Sequence, residues 1–324
     1  MTRICYGCGS KLQKENADLA GYIPPEKFRL SAYCQRCYRI MHYGMQFKTD
    51  TPKEIKSIVK SINADNKHVV FLVDFLSIDT KVIDIFNQIN QKKLLIISKS
   101  DIIPKSIKEN MIKAFLVSFY HISTDIRFVS SHNKYGVESL LNYFKKNKIN
   151  ETYIVGLSNS GKSTLVNKLI EECSSSMKKI TTSEHSNTTL DFIRIQLKED
   201  LLIIDSPGFI LPTLAIPQKP ARVKTILKPK TFQMRAGETI KIENMYINFN
   251  EETSITLYMH NNLNVSKYYK EVEYDYQTSV HFEVDLIISG LGFINIKNKC
   301  NITTSGINPE LIEKRESIFG EVYE

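Results

Sequence analysis

Gly156-Leu-Ser-Asn-Ser-Gly161-Lys162-Ser163 fits the pattern G-x-x-x-x-G-K-[ST]. The glycines let the main chain curl until successive N–H groups converge, and a helix N-terminus beyond them adds partial positive charge. That is chemistry for gripping a phosphate chain. Lys162 is expected to reach the β- and γ-phosphates and the Ser163 hydroxyl to ligate Mg²⁺, with Ser160, Gly161 and Thr164 in the same cradle. Downstream, Asp205-Ser-Pro-Gly208 ends an apolar run, so a carboxylate sits at a strand tip where it can hold Mg²⁺ through water. The Gly208 amide is then placed to sense a γ-phosphate. Between the two lies the polar stretch Thr181-Thr-Ser-Glu-His-Ser-Asn-Thr-Thr189, which has the character of a switch loop. Thr189 or Thr188 would complete the Mg²⁺ shell; a threonine-rich surface loop is the plain alternative.

A phosphate loop does not choose its base. Ser98-Lys99-Ser100-Asp101 follows the apolar run 94–97 and resembles the N-K-x-D guanine motif of GTPases. An Asp there accepts two hydrogen bonds, from the guanine N1–H and 2-amino group, a pairing adenine lacks, while the Lys99 stem lies along the base. Ser98 stands where the motif has Asn and is expected to cost one tethering hydrogen bond. Val129-Ser130-Ser131, at the end of the next apolar run, resembles the loop that contacts the guanine oxygen through its main chain. Both elements precede the phosphate loop, the reverse of the usual order. Joining old termini and cutting elsewhere would leave such a site unchanged in space. An ATPase would require residues 98–101 to be coincidental.

Cys5-x-x-Cys8 and Cys34-x-x-Cys37 form a second constellation, with 25 residues between the inner cysteines. Two such turns present four thiolates to one tetrahedral Zn²⁺ and close a structural site. A redox motif predicts a lone pair, and a disulfide framework fits an oxidising compartment. His42 is a spare ligand candidate; Cys173 and Cys300 are isolated and read as structural. Arg3, Lys11, Arg36, Arg39 and Lys48 surround the knuckles, as an RNA contact or as a solvated face.

These groups need a scaffold. Apolar runs at 69–74, 94–98, 126–130, 153–156 and 201–205 alternate with helical stretches at 80–90, 106–119, 137–146 and 163–172. Consecutive apolar residues in short runs predict buried parallel strands, hence an α/β doubly wound, mostly parallel sheet with ligands at the carboxyl ends of its strands. Residues 1–48 read as a zinc-finger module, 49–212 as the permuted nucleotide-binding domain and 213–324 as a mainly β domain. The last follows a linker marked by Pro212, Pro217, Pro220 and Pro229, and alternating stretches at 239–243, 254–260 and 281–285 predict its antiparallel strands.

Over 324 residues Lys+Arg outnumber Asp+Glu by 43 to 35, a net charge of +8 that favours a polyanionic partner, RNA first and DNA not expected. No stretch approaches the eighteen or so apolar residues of a membrane helix, and the N-terminus lacks a signal-peptide core, so a cytoplasmic monomer is expected.

The CxGC…CQRC finger, the guanine motifs, the phosphate loop, the threonines and D-S-P-G in permuted order resemble the YqeH-type circularly permuted GTPases of bacteria. So does the β segment with Lys228-Pro-Lys-Thr-Phe232 and Ser289-Gly-Leu-Gly-Phe293. The resemblance covers essentially the whole chain. It implies GTP/GDP with Mg²⁺ and Zn²⁺, a role in biogenesis of the small ribosomal subunit, and a C-terminal domain that binds RNA or peptide. The sequence departs from the family at Ser98 and at Ser186-Asn-Thr-Thr189, where the family has P-G-T-T. Phe209 follows Gly208, where many GTPases carry a water-orienting Gln, so water must be positioned by main chain, metal or partner. Asn159 resembles the residue that helps hold K⁺ in cation-activated GTPases. The resemblance therefore implies potassium-stimulated hydrolysis, slow until a ribosomal partner binds. The permuted order itself leads the segment after Asp205–Gly208 straight into the linker and C-terminal domain, so hydrolysis is expected to reposition that domain through residues 209–230. A zinc-finger RNA-binding factor that holds nucleotide without turning it over is the alternative.

Overall fold

Each short apolar run becomes a strand because helices on both faces exclude water from it. In chain order the elements are α1 (Ile55–Asn63), β1 (His68–Asp74), α2 (Thr80–Asn87), β2 (Lys93–Ser98), α3 (Glu109–Ser118), β3 (Ile126–Val129), α4 (Val137–Lys146), β4 (Glu151–Gly156), α5 (Lys162–Ser174), β5 (Thr181–Thr182), β6 (Ile193–Lys198) and β7 (Leu201–Asp205). The structure is a computed structural model and describes residues 3, 5, 11–15, 21–29, 31–35, 55–130, 135–158, 160–174, 181–182, 192–198, 200–208 and 226–319.

The chain divides into two compact units. One comprises Met1–Val73, Ile85–Lys99 and Thr124–Ile210. Its seven-stranded sheet has the order β3-β2-β1-β4-β7-β6-β5. β4 pairs in parallel with β1 on one side and β7 on the other, while β6 runs antiparallel to β7. The expected mostly parallel sheet is therefore present, closed at one edge by an antiparallel pair. Since β1–β3 lie to one side of β4 and β5–β7 to the other, the end of β4 is a topological switch point, where such sheets bind ligands. Val70, Leu72, Ile96, Ile154, Leu165, Leu169 and Ile203 share one core cluster. α1 is amphipathic, with Ile58, Val59 and Ile62 buried on one face. In the same unit Cys5, Leu12, Ile23 and Cys34 form a small cluster under Phe28 and Tyr33.

The other unit comprises Asp74–Asp84, Ser100–Ser123 and Leu211–Glu324. Its strands are β8 (Lys230–Met234), β9 (Glu238–Ile242), β10 (Met245–Phe249), β11 (Thr253–Met259), β12 (Val265–Tyr268), β13 (Tyr276–Val280), β14 (Val284–Ile288), β15 (Gly292–Ile296), β16 (Cys300–Ser305) and β17 (Ile312–Glu316). They make two five-stranded antiparallel sheets, β12-β9-β10-β16-β13 and β17-β14-β15-β11-β8. One apolar cluster takes Ile240, Ile247 and Ile302 from the first and Ile255, Leu257, Leu286 and Ile294 from the second, so the sheets form a sandwich. The buried/half-buried alternation along β11 and β16 is the period of two expected of such strands. The expected strand at 281–285 is displaced: β14 begins at Val284, and Phe282 is 70% exposed. Glu283 takes a left-handed φ of 51°, which ends the extended run that the alternation of Phe282 and Val284 mimics.

Candidate functional site

β4 delivers the phosphate motif to the switch point. Gly156 lies level with Leu72 of β1, and a Cβ there would meet the Leu72 carbonyl oxygen at 2.4 Å, so only glycine lets the loop leave the sheet this close to its neighbour. The chain turns through Ser160, whose amide donates to the Leu157 carbonyl at 3.2 Å, and enters α5 as the Leu165 amide reaches the Gly161 carbonyl. Lys162 is the first residue of α5 and is 7% exposed. Burial pushes its ammonium below the usual lysine range, and the Asp205 carboxylate opposes that shift. Ser163 is half-buried and Thr164 exposed on the first turn.

Asp205 ends β7 in register with Ile154 of β4, and the Ser206 amide donates to the Ile154 carbonyl at 3.1 Å. These pairings bring Asp205-Ser-Pro-Gly208 beside the phosphate loop. A Cβ on Gly208 would stand 2.8 Å from Ser158 Oγ and 3.1 Å from Lys162 Nζ. The glycine of one motif and the lysine of the other are thus in mutual contact. Ser158 occupies a free position of the loop pattern, and nothing in the sequence marks it for this role.

Ser98 is where sequence expectation and structure part. Its hydroxyl, 3% exposed, donates to the Ser160 carbonyl at 2.5 Å, with the Val73 carbonyl at 3.3 Å. Instead of costing a tether, the serine supplies one between the end of β2 and the main chain of the phosphate loop. A short side chain reaches because the phosphate loop, leaving β4, meets it over the end of β1, the strand between β2 and β4, whose Val73 carbonyl the same hydroxyl also approaches; the motif comparison could weigh only the missing amide. Lys99, directly after it, takes a left-handed φ of 54°. A side chain holds that conformation only where its surroundings impose it. Asp101 lies in a 3₁₀ turn, Ser100–Ile102, and belongs to the second unit. Ser130 is fully buried, with its amide donating to the Tyr135 carbonyl at 2.9 Å. Ser131, Asn159, Thr188, Thr189 and Phe209 lie outside the described residues.

A nucleotide phosphate chain with its magnesium fits these residues. Ser160 Oγ is buried with no hydrogen-bond partner among the described residues, and a nearly buried lysine stands beside a carboxylate and a glycine packed tightly against Ser158. Lys162 would hold the phosphates, while Ser163 and Asp205 would hold Mg²⁺.

In the cysteine module the Cys34 amide donates to Cys5 Sγ at 3.1 Å, and both residues are 1% exposed. The two knuckles are therefore juxtaposed at their described members; Cys8 and Cys37 lie outside the described residues. Among the described residues no three metal-ligating side chains cluster. Arg3, a candidate for nucleic-acid contact, is spent internally: its guanidinium donates to the Phe28 and Ser31 carbonyls at 2.6 Å each and lies over the Phe28 ring. No helix among the described residues is long and apolar enough to cross a membrane.

A phosphate loop at the switch point of a mostly parallel sheet, contacted by D-x-x-G and tethered to a base-motif strand that precedes it in the chain, defines a circularly permuted P-loop nucleotide-binding domain. The family model for RsgA GTPase matches residues 47–214, and that for 50S ribosome-binding GTPase matches residues 151–282. The uncharacterized protein YqeH of Bacillus subtilis is 30% identical over 254 residues, 73% of this chain and 69% of that one. Nitric oxide-associated protein 1 of Mus musculus is 24% identical over 60% of this chain and 36% of its own length. Small ribosomal subunit biogenesis GTPase RsgA of Prochlorococcus marinus is 31% identical over 39% of each chain. The chain belongs to the RsgA GTPase family, as a circularly permuted GTPase of the YqeH type. That membership sets aside the ATPase alternative.

Proposed function

We propose that this chain binds and hydrolyses GTP as a switch and acts in biogenesis of the small ribosomal subunit. The observation that carries the reading is the hydrogen bond from Ser98 to the Ser160 carbonyl, which ties the strand end leading to the guanine motif to the phosphate loop. The biogenesis role is supported by the similarity to RsgA, a small ribosomal subunit biogenesis GTPase. Lys162 would bind the β- and γ-phosphates, and the Gly208 amide would respond to the γ-phosphate from its place against Lys162. Magnesium, when bound, supplies neutralisation of the phosphate charge, with Ser163, Asp205 and Thr189 as its proposed ligands. Asp101 would accept from the guanine N1–H and 2-amino group, with Lys99 along the base and Ser130 and Ser131 at the base oxygen. Phe209 has no group to orient water, so turnover is proposed to be slow and raised by K⁺ held through Asn159 or by the ribosomal partner.

Cys5, Cys8, Cys34 and Cys37 are proposed to hold one structural zinc; the buried contact between Cys5 and Cys34 supports this. RNA of the small subunit, a cytoplasmic location and a monomeric state complete the reading, and the division at 1–48, 49–212 and 213–324 is retained as a proposal about function by segment. The decisive experiment is nucleotide competition on Asp101→Asn. The amide should exchange GTP preference for XTP preference, and an unchanged GTP preference would refute base recognition by Asp101.

A further inference from the structure

We propose that the C-terminal β-sandwich sets base specificity, with Arg315 and the main-chain amide of Leu227 as positioning groups for the turn that carries Asp101. The proposal rests on the reading of Asp101 as the base-recognising residue.

Arg315 on β17 and Asp285 on β14 form an ion pair in which neither side chain has any exposure. The guanidinium donates to Asp285 Oδ2 through Nε at 3.3 Å and Nη2 at 3.2 Å, and through Nη1 to the Ile78 carbonyl at 2.5 Å. It lies 4.8 Å from the Phe293 ring centroid and 5.3 Å from that of Phe115 on α3. Asp285 is completed by the Asn295 side-chain amide at 2.8 Å and the Ile318 main-chain amide at 3.0 Å. A buried ion pair of this kind is no more stabilising than well-packed apolar residues of the same volume. What it adds is direction: two groups on different segments, the Asp285 carboxylate and the Ile78 carbonyl, are fixed to one planar fork. On the same strand Glu313 accepts from the Thr80 amide at 3.0 Å and from its hydroxyl, and Lys81 Nζ donates to the Glu310 carbonyl at 2.6 Å. The sandwich thereby holds the segment after β1 and the helix after β2.

The turn between them is held as well. The Leu227 amide, just before β8, donates to the Ile102 carbonyl at 2.8 Å, and Ile102 is 2% exposed and follows Asp101 directly. Asp101, α3 and the sandwich accordingly fall in one compact unit. A carboxylate that must meet two parallel N–H groups tolerates little displacement, because hydrogen bonds weaken beyond about 3.2 Å. Loosening the sandwich's hold should therefore blunt the reading of the base edge and leave the phosphate grip intact.

The test measures displacement of a fluorescent GDP analogue from the full chain by GDP and by IDP, which lacks the 2-amino group. The wild type should prefer GDP by about tenfold or more, the worth of one hydrogen bond to a charged acceptor. Leu227→Ala, which removes the buried side chain but keeps the amide donor, is the control and should keep the wild-type preference. Leu227→Pro also removes the donor, in irregular chain where no ladder bond is lost, and Arg315→Lys keeps the charge but not the fork. Each of these two should cut the preference below about threefold while IDP affinity stays within about twofold. An unchanged preference, or equal weakening of both nucleotides, in variants that still melt cooperatively would overturn the proposal. If Arg315→Lys does not fold, Leu227→Pro decides. A wild type indifferent between GDP and IDP would instead refute the reading of Asp101.

Discussion

Removing the Ser98 hydroxyl isolates the contribution of one hydrogen bond to nucleotide binding. In Ser98→Ala the Ser160 carbonyl loses a donor 2.5 Å away at a position 3% exposed, where water cannot easily replace it. Leaving a buried acceptor short of a partner costs about 1–2 kcal/mol. If the bond keeps the phosphate loop in its binding conformation, that cost appears as a GDP dissociation constant raised by about 5- to 30-fold. Ser98→Thr keeps the hydroxyl on a residue suited to a strand and should stay within about threefold of wild type. The assay is titration with a fluorescent GDP analogue, with thermal melting run in parallel. Ser98→Ala with a lowered Tm and an unchanged dissociation constant would refute the reasoning, because the tether would then serve the sheet and not the loop.

Three further outcomes are expected. Gly208→Ala places a methyl 2.8 Å from Ser158 Oγ, 3.1 Å from Lys162 Nζ and 3.2 Å from the Ser158 Cα. The side-chain atoms can swing away and the backbone atom cannot, so multiple-turnover GTP hydrolysis should fall by about 100-fold, as for loss of one donor to developing charge. Burial pushes the Asp79 carboxyl up to about 6, with Glu313 adding repulsion and the Val82 amide, Lys81 and Arg315 opposing. A raised pKa means that the stability this group adds is complete below its unfolded value of 3.8 and is lost as pH rises through about 6. Asp79→Asn should therefore gain up to about 3 kcal/mol over wild type at pH 7 and nothing at pH 3.5, read as the difference between pH-resolved denaturation curves. Cys5→Ser should remove the roughly one equivalent of zinc expected in the purified wild type by elemental analysis, as loss of one ligand opens a four-coordinate site.

Where water is excluded from both faces, sequence and structure agree closely. The runs at 69–74, 94–98 and 201–205 became β1, β2 and β7 with at most one residue added, since burial on consecutive positions of both faces writes an unbroken apolar run. β6 is harder to read because Ile193, Ile195 and Leu197 alternate with Arg194, Gln196 and Lys198 beside a polar loop, the pattern of a strand whose two faces differ in burial and not that of the continuous apolar runs. α1 has only nine residues, too short for its periodicity to stand out from its surroundings. At the site, the glycines, Lys162, Asp205 and Gly208 were legible because the phosphate mechanism fixes both their type and spacing. The tether from Ser98 was not, because its acceptor is a main-chain carbonyl, and main chain carries no sequence signal.

The distribution of charge refines the proposed RNA contact. Residues 226–319 hold ten Lys or Arg against twelve Asp or Glu, so the sandwich contributes none of the chain's excess of +8. Non-specific affinity for RNA comes chiefly from neutralised phosphates, and the sandwich carries no excess of cations to offer them. Residues 1–50 hold eight Lys or Arg against four Asp or Glu, and Arg3 among them is already committed to main-chain carbonyls. In the proposed RNA contact the electrostatic part would therefore fall on the remaining basic residues of the cysteine module and on the nucleotide-binding domain. The sandwich, bound through Arg315, Glu313 and Leu227 to the segments that follow β1 and β2, would instead act on the turn proposed to recognise the base.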